Sequence, residues 1–226
     1  GAAPVVLDNS VQVVDAELAA LNNGLGDYSG AVLNVALEGG LGDNNLLFIN
    51  PTGASFTVVG SVNTQGVLQS FGQTFATFDS RATQLSITFT GSGTRPTQAL
   101  VNDVASRITY ASTDNAPPAT VNVRWEFYDE NHSGSQGTGG VLRATGLSTV
   151  NITPVNDAPT LAGIPTTAQN ATVGQAVALA DFTVADADSS NLRVTLTPTN
   201  GTLGNLTDAD AATAGIQLTG TAASIN

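Results

Sequence analysis

The chain has 226 residues, 41% of them hydrophobic, with no cysteine, one histidine, and six basic side chains against 18 carboxylates, for a net charge of −12. That length suits two ordinary domains with real cores; the missing cysteine removes disulfides and thiolate chemistry, and the lone histidine removes zinc. All the basic residues are arginine, so no lysine-rich patch exists for nucleic acid, and no apolar run reaches the roughly 20 residues of a membrane span; neither partner is expected, whereas clustered carboxylates favour a hard cation, calcium above all.

From Pro4 to about Val155 the chain reads as short strands between turn residues: Val11–Val14, Ala31–Leu37, Leu46–Ile49, Ser55–Val59, Gln84–Thr90, Val121–Tyr128 and Thr149–Thr153. Leu85, Ile87 and Phe89 alternate with Gln84, Ser86 and Thr88, and Val121, Val123, Trp125 and Phe127 share one face in the same way. This is the period-two pattern of a half-buried strand. One helix interrupts it, because Leu100, Val101, Val104, Ala105 and Ile108 fall on one helical stripe, with Pro96 and Thr97 as start signals. The predicted fold class is all-β, with a single short helix packed over one end of the first module.

The segment TPVNDAPT (153–160) sets two prolines around an Asn-Asp pair and reads as a linker. It separates a module over 1–155 from a second over 156–226, where strand patterns resume at Ala176–Val184, Asn191–Pro198 and Gly215–Gly220. The modules repeat one another: Asp27–Leu37 matches Asp188–Leu196, and residues 87–103 match 216–226. The second copy stops where the helix of the first begins, so a truncated module with open sheet edges is expected. Either the chain is a piece of a longer array or another chain supplies the missing strands.

The linker PVNDAP (154–159), the turn DADSSN (186–191), the segment DYSGAVLNV (27–35) and the block ALVNDVASRITYASTDNAPPATVNVRWEFYDENHSGS (99–135) together resemble the cadherin-like tandem repeat modules of giant bacterial surface adhesins. Those proteins are often RTX-type and exported by type I secretion. The resemblance implies tandem β-sandwich (cadherin/Ig-like) modules strung end to end, with Ca2+ at the junctions stiffening the rod. It also implies a secreted, extracellular place on a bacterial cell surface and a structural or adhesive role in a stalk, filament or surface layer, without catalysis. It assigns Asn156 and Asp157 as linker ligands and Asp186 and Asp188 as the DxD pair of the following module. Asp129 and Glu130 lie in the loop that would face the same junction, and Asp15, Glu17 and Asp27 would cluster at the opposite end of the first module. Pro154 and Val155 stand where the family places an aspartate, and Asn170 is nearest to its early glutamate, so one or two ions are expected rather than three. The partners implied are neighbouring modules of the same protein or copies of itself.

The residues themselves point to the same ion. Calcium takes six to eight oxygens from carboxylates, carbonyls and amides, and aspartates at i and i+2 in a tight turn direct two carboxylates at one position. Asp186 and Asp188 fit this, against the plainer reading that they cap a turn; Asp208 and Asp210 share the spacing without a linker partner. An EF-hand is excluded, because Asn191 and Thr197 stand at its glycine and bidentate-glutamate positions. The run GGLGDNNLL (39–47) occurs once and reads as a glycine turn before a strand. His132, in the polar loop DENHSGSQGTGG, reads as a surface histidine. Glu126 with Asp129 offers a carboxylate pair of the kind glycoside hydrolysis uses, yet aromatics are only 5% and Trp125 sits on an apolar strand face, so no enzyme is expected. The competing function is a calcium-dependent glycan-binding module that meets cell-surface sugars through the Asp129–Gly140 loop.

Overall fold

Alternating side chains build most of the first unit. In a computed structural model, which describes residues 3–131, 136 and 138–226, the chain divides into a unit from Gly1 to Thr153 and another from Pro154 to Asn226. The fold is all-β with short helices.

The first unit holds β1 (Val5–Val6), α1 (Ala16–Gly24), β2 (Val32–Leu37), β3 (Asn45–Ile49), β4 (Thr57–Gly60), β5 (Gln65–Ser70), β6 (Gln73–Arg81), β7 (Gln84–Phe89), α2 (Gln98–Ala105), β8 (Ile108–Ser112), β9 (Thr120–Tyr128) and β10 (Arg143–Asn151). Seven strands form one antiparallel sheet in the order β10-β9-β2-β7-β6-β5-β4, and β1-β8-β3 form a second. The inward residues read from the sequence are buried: Leu85, Ile87 and Phe89 of β7, and Val121, Val123, Trp125 and Phe127 of β9. They meet Leu47 and Ile49 of β3, Ile108 and Tyr110 of β8, and Val101, Val104 and Ala105 of α2 in a single core. Each large side chain so buried contributes about 1.5–3 kcal/mol. Thr97 caps α2 by accepting from the Leu100 N–H, as its sequence signals suggest.

Several elements depart from the sequence reading, each for a local reason. Val11–Val14 is not a strand: Val13 is buried, but its N–H is taken by the Asn102 side chain at 2.8 Å rather than by a neighbouring strand. The chain turns instead into α1, capped by Asp15 through the Leu18 N–H at 2.8 Å. This helix is regular only at its start, since Leu21 is extended and Asn22 and Asn23 are left-handed. The hairpin β5–β6 was not anticipated. A register shift between Leu68 and Gln69 leaves Phe75 without a cross-strand partner, so Phe75 and Ala76 are both buried and the period of two is lost. The strand expected over Thr149–Thr153 starts earlier, at Arg143, and runs exposed along the edge of the large sheet.

The second unit holds β11 (Thr160–Ala162) paired with β12 (Thr183–Ala185), β13 (Leu192–Leu196) paired with β14 (Ile216–Gly220), and the short α3 (Ala222–Ile225). Both pairs are antiparallel. Of the strand expected over Ala176–Val184, only its end enters β12. Val184 is the one buried hydrophobic side chain here among the described residues, while Leu161, Val173, Val177 and Leu179 are exposed.

Local features recur between the two units. The Asn102 side chain accepts the Val13 N–H at 2.8 Å, and the Asn226 side chain accepts the Val184 N–H at 2.7 Å. Thr97 caps α2, and Thr221 caps α3. Two residues after Val13 and Val184 stand Asp15 and Asp186, each accepting from the N–H three residues on at 2.8 Å. The paired strands β2 and β7 of the first unit match β13 and β14 of the second in order and direction.

Candidate metal centre

The register of the β11–β12 pair sets up the candidate site in the second unit. Thr160 faces Ala185, which brings the linker residue Asp157 beside the turn that leaves β12. In that turn Asp186 Oδ1 accepts the N–H of Asp188 at 3.1 Å and of Ser189 at 2.8 Å. A short polar side chain that satisfies its own backbone in this way makes a tight loop. The loop aims Asp188 back at the linker, where its Oδ2 accepts the Asp157 N–H at 2.8 Å. Its other oxygen, Oδ1, is buried and has no hydrogen-bond partner. Asn156 donates from its side chain to the Asp157 carbonyl at 3.0 Å.

The neighbouring Asp188 side chain first, and the N–H groups of Ser189 and Asp188 next, hold the Asp186 carboxyl below its ordinary value of 3.8. Two carboxylates side by side, one with an orphaned buried oxygen, are a donor set that suits a hard cation. The fit is partial: among the described residues no three His, Cys, Asp or Glu side chains form a group able to hold a metal ion.

The remaining sequence-derived candidates lie in the first unit, where the Asp27 N–H donates to the Leu18 carbonyl at 3.0 Å and so sets Asp27 beside α1. Asp15 is the α1 cap, and Glu17 lies exposed in the first turn of that helix. Asp27 is an ion-pair partner of Arg95, and its Oδ1 accepts from the Ser29 hydroxyl at 2.6 Å. Burial pushes the Asp27 carboxyl up, but Ser29 and Arg95 more than offset this and hold it below 3.8. Asp129 is buried, and its Oδ1 accepts the N–H of Leu142 at 2.8 Å and of Asn131 at 3.2 Å. It thereby ties the two ends of the loop that follows β9. Glu130 adopts a positive φ of 56° in the same loop. His132 lies outside the described residues, as do 133–135 and 137. Asp208 Oδ1 accepts the N–H of Asp210 and of Gln217, while Asp210 pairs with Arg193.

Beside β10 the first unit carries an open groove of about 360 Å³, lined by Val13, Leu33, Trp125, Phe127 and Leu147, with Asp8 as its carboxylate. Trp125 is only 7% exposed and donates its ring N–H to Ser148 at 2.9 Å, so its face belongs to the core.

Sequence reasoning did not find the two bridging asparagines, Asn102 and Asn226. Their signal was the repeat itself, which aligns ALVND with ASIN. No protein-family model, curated protein or solved structure matches the chain.

Proposed function

We propose that the chain is a calcium-binding, structural or adhesive part of a large extracellular bacterial surface protein, made of tandem cadherin-like β-sandwich modules. Ca2+ would be held by Asp186 and Asp188 at the linker. The observation that carries this reading is the Asp188 carboxylate, with one oxygen on the Asp157 N–H and the other buried without a donor. A buried acceptor left unpaired is costly, and more so when it is charged. A cation answers that cost and the repulsion from Asp186 together.

Arginine does not answer it. The six arginines reach Asp79, Asp27, Asp103, Glu38, Glu126 and Asp210. Among the described residues, no ion pair includes Asp157, Asp186 or Asp188. Asn156, Asp157 and backbone carbonyls are the further oxygens within the linker and turn. An ion there would lock the linker onto the turn after β12, converting a segment held by one charge-assisted hydrogen bond into one held by several ligands. The matching turn of the first unit, Asp15 and Glu17, supplies the same acidic spacing for a second ion. Asp27 is engaged by Arg95, and Asp129 and Glu130 belong to the loop after β9.

Extracellular calcium modules bind with dissociation constants of about 10⁻⁴–10⁻³ M. Calcium at about 100 times that value adds roughly 2.7 kcal/mol per site. Thermal unfolding in millimolar calcium should therefore lie above unfolding in excess chelator, with magnesium a poor substitute. Coincident melts would remove the calcium reading.

A further inference from the structure

The hairpin that joins β5 to β6 turns on two residues, Phe71 and Gly72, with φ of 50° and 77°. Such a turn suits Asn-Gly, and a bulky ring at its first position is a strained choice. Burial does not offset that strain, because Phe71 is fully exposed while Phe75 and Phe78 of the same hairpin lie in the core. The turn is nevertheless firmly supported. Ser70 faces Gln73 across the ladder, and the Gln69 side chain donates to the Thr74 hydroxyl at 3.3 Å. The N–H groups of Gly93 and Thr94, from the loop after β7, both donate to the Thr74 carbonyl at 3.1 and 3.0 Å. A strained residue that its surroundings hold in place is a sign of function rather than of fold.

The surroundings also define what the ring can meet. No Asp, Glu, Lys, Arg or His occurs from Asn44 to Phe78, in a chain that carries 18 carboxylates. Beside the ring stand amides and hydroxyls: Gln73 and Thr57 are exposed, and Gln69 and Thr74 are half-buried. These groups donate and accept hydrogen bonds without charge, whereas a tip that binds lipid would carry further apolar side chains and basic residues around the ring. One aromatic face with uncharged polar groups at its rim matches a sugar, which offers C–H groups on one side and hydroxyls at its edge. We infer that the β5–β6 tip is a binding site for a neutral glycan, with one sugar ring stacked on Phe71 and its hydroxyls on Gln69, Gln73 and Thr74. The ring is held ready before the ligand arrives, so little order is lost on binding. The inference is independent of calcium, since the tip shares no residue with the candidate metal site or with the Asp129–Gly140 loop.

The test screens the intact chain, in excess chelator, on an array of neutral oligosaccharides of glucose, galactose, mannose and N-acetylhexosamines, with acidic oligosaccharides alongside. The expected result is saturable binding of a neutral oligosaccharide at one per chain. Phe71→Asn should weaken that binding at least tenfold while raising the melting temperature, so that the loss cannot be traced to unfolding. Phe71→Trp, which keeps an aromatic face, should retain it. Absence of binding to every neutral oligosaccharide would overturn the inference, as would binding that Phe71→Asn leaves intact or binding confined to acidic sugars. Retention of the chain on phosphatidylcholine vesicles without sugar binding, lost in Phe71→Asn, would name a lipid surface as the partner and overturn it too.

Discussion

The first unit buries twenty-five hydrophobic side chains in one cluster, whereas the second has Val184 as its buried hydrophobic side chain among the described residues. Yet the two share the same capped turn after an extended segment, the same asparagine bridge and the same antiparallel strand pair. Local hydrogen-bond devices thus recur where the core does not. Side-chain-to-backbone bonds are set by a few neighbouring residues, while a core needs strands from distant parts of the chain.

The largest expected effect separates the units by their packing. Phe89→Ala removes a ring that is 1% exposed and should cost the first unit about 3–5 kcal/mol. Val173→Ala, at a side chain that is 101% exposed in the second unit, should stay within about 0.5 kcal/mol of neutral. Urea unfolding read unit by unit through hydrogen exchange makes the comparison, and similar losses at both positions would contradict it. The next effect concerns what the units share. Asn102→Ala strips the Val13 N–H of its acceptor and should cost the first unit about 1–3 kcal/mol. Asn226→Ala should do the same to the second, and a loss confined to one unit would break the correspondence.

Acid should sharpen the contrast further. Burial pushes the Asp103 carboxyl up, but hydrogen bonds from the Ser55 hydroxyl and N–H and from Arg107 hold it below 3.8. A carboxyl depressed in the folded state stabilises above its unfolded value and loses that contribution as pH falls through the folded value. The first unit should therefore weaken below about pH 4, and Asp103→Asn should flatten the decline. Asp186 is depressed in the same direction in the second unit. It sits in a solvent-screened turn, so the acid response there should be smaller. The smallest effect is a gain. Phe71 is fully exposed at the β5–β6 turn with φ 50°, next to Gly72 at φ 77°. Paired positive φ values suit Asn-Gly and strain a bulky residue. Phe71→Asn should raise the stability of the first unit by about 1 kcal/mol.

What could be read in the sequence follows the same division. β7, β9 and α2 were legible because their side chains alternate or stripe without interruption over at least six residues. β6 was not, because the bulge at Phe75 puts two buried residues side by side. The helix α1 was missed just past the expected strand Val11–Val14, although Asp15 followed by AELAAL is a helix-start signal. At the candidate site the pairing of Asp157 with Asp188 was readable as linker plus turn, and the structure joins them at 2.8 Å. The fate of Asp27 was not, since its partner Arg95 lies 68 positions away and only the fold brings the two together.

Calorimetric titration of calcium into the intact chain tests most directly the proposal that Asp186 and Asp188 hold the ion. The account expects saturable binding in the range of about 10⁻⁴–10⁻³ M. The double variant Asp186→Ala/Asp188→Ala should lose the heat of at least one site while the hydrogen-exchange protection of β7 and β9 is unchanged. No heat from the wild type, or an isotherm that the double substitution leaves intact, would contradict it and return the two aspartates to the role of turn residues.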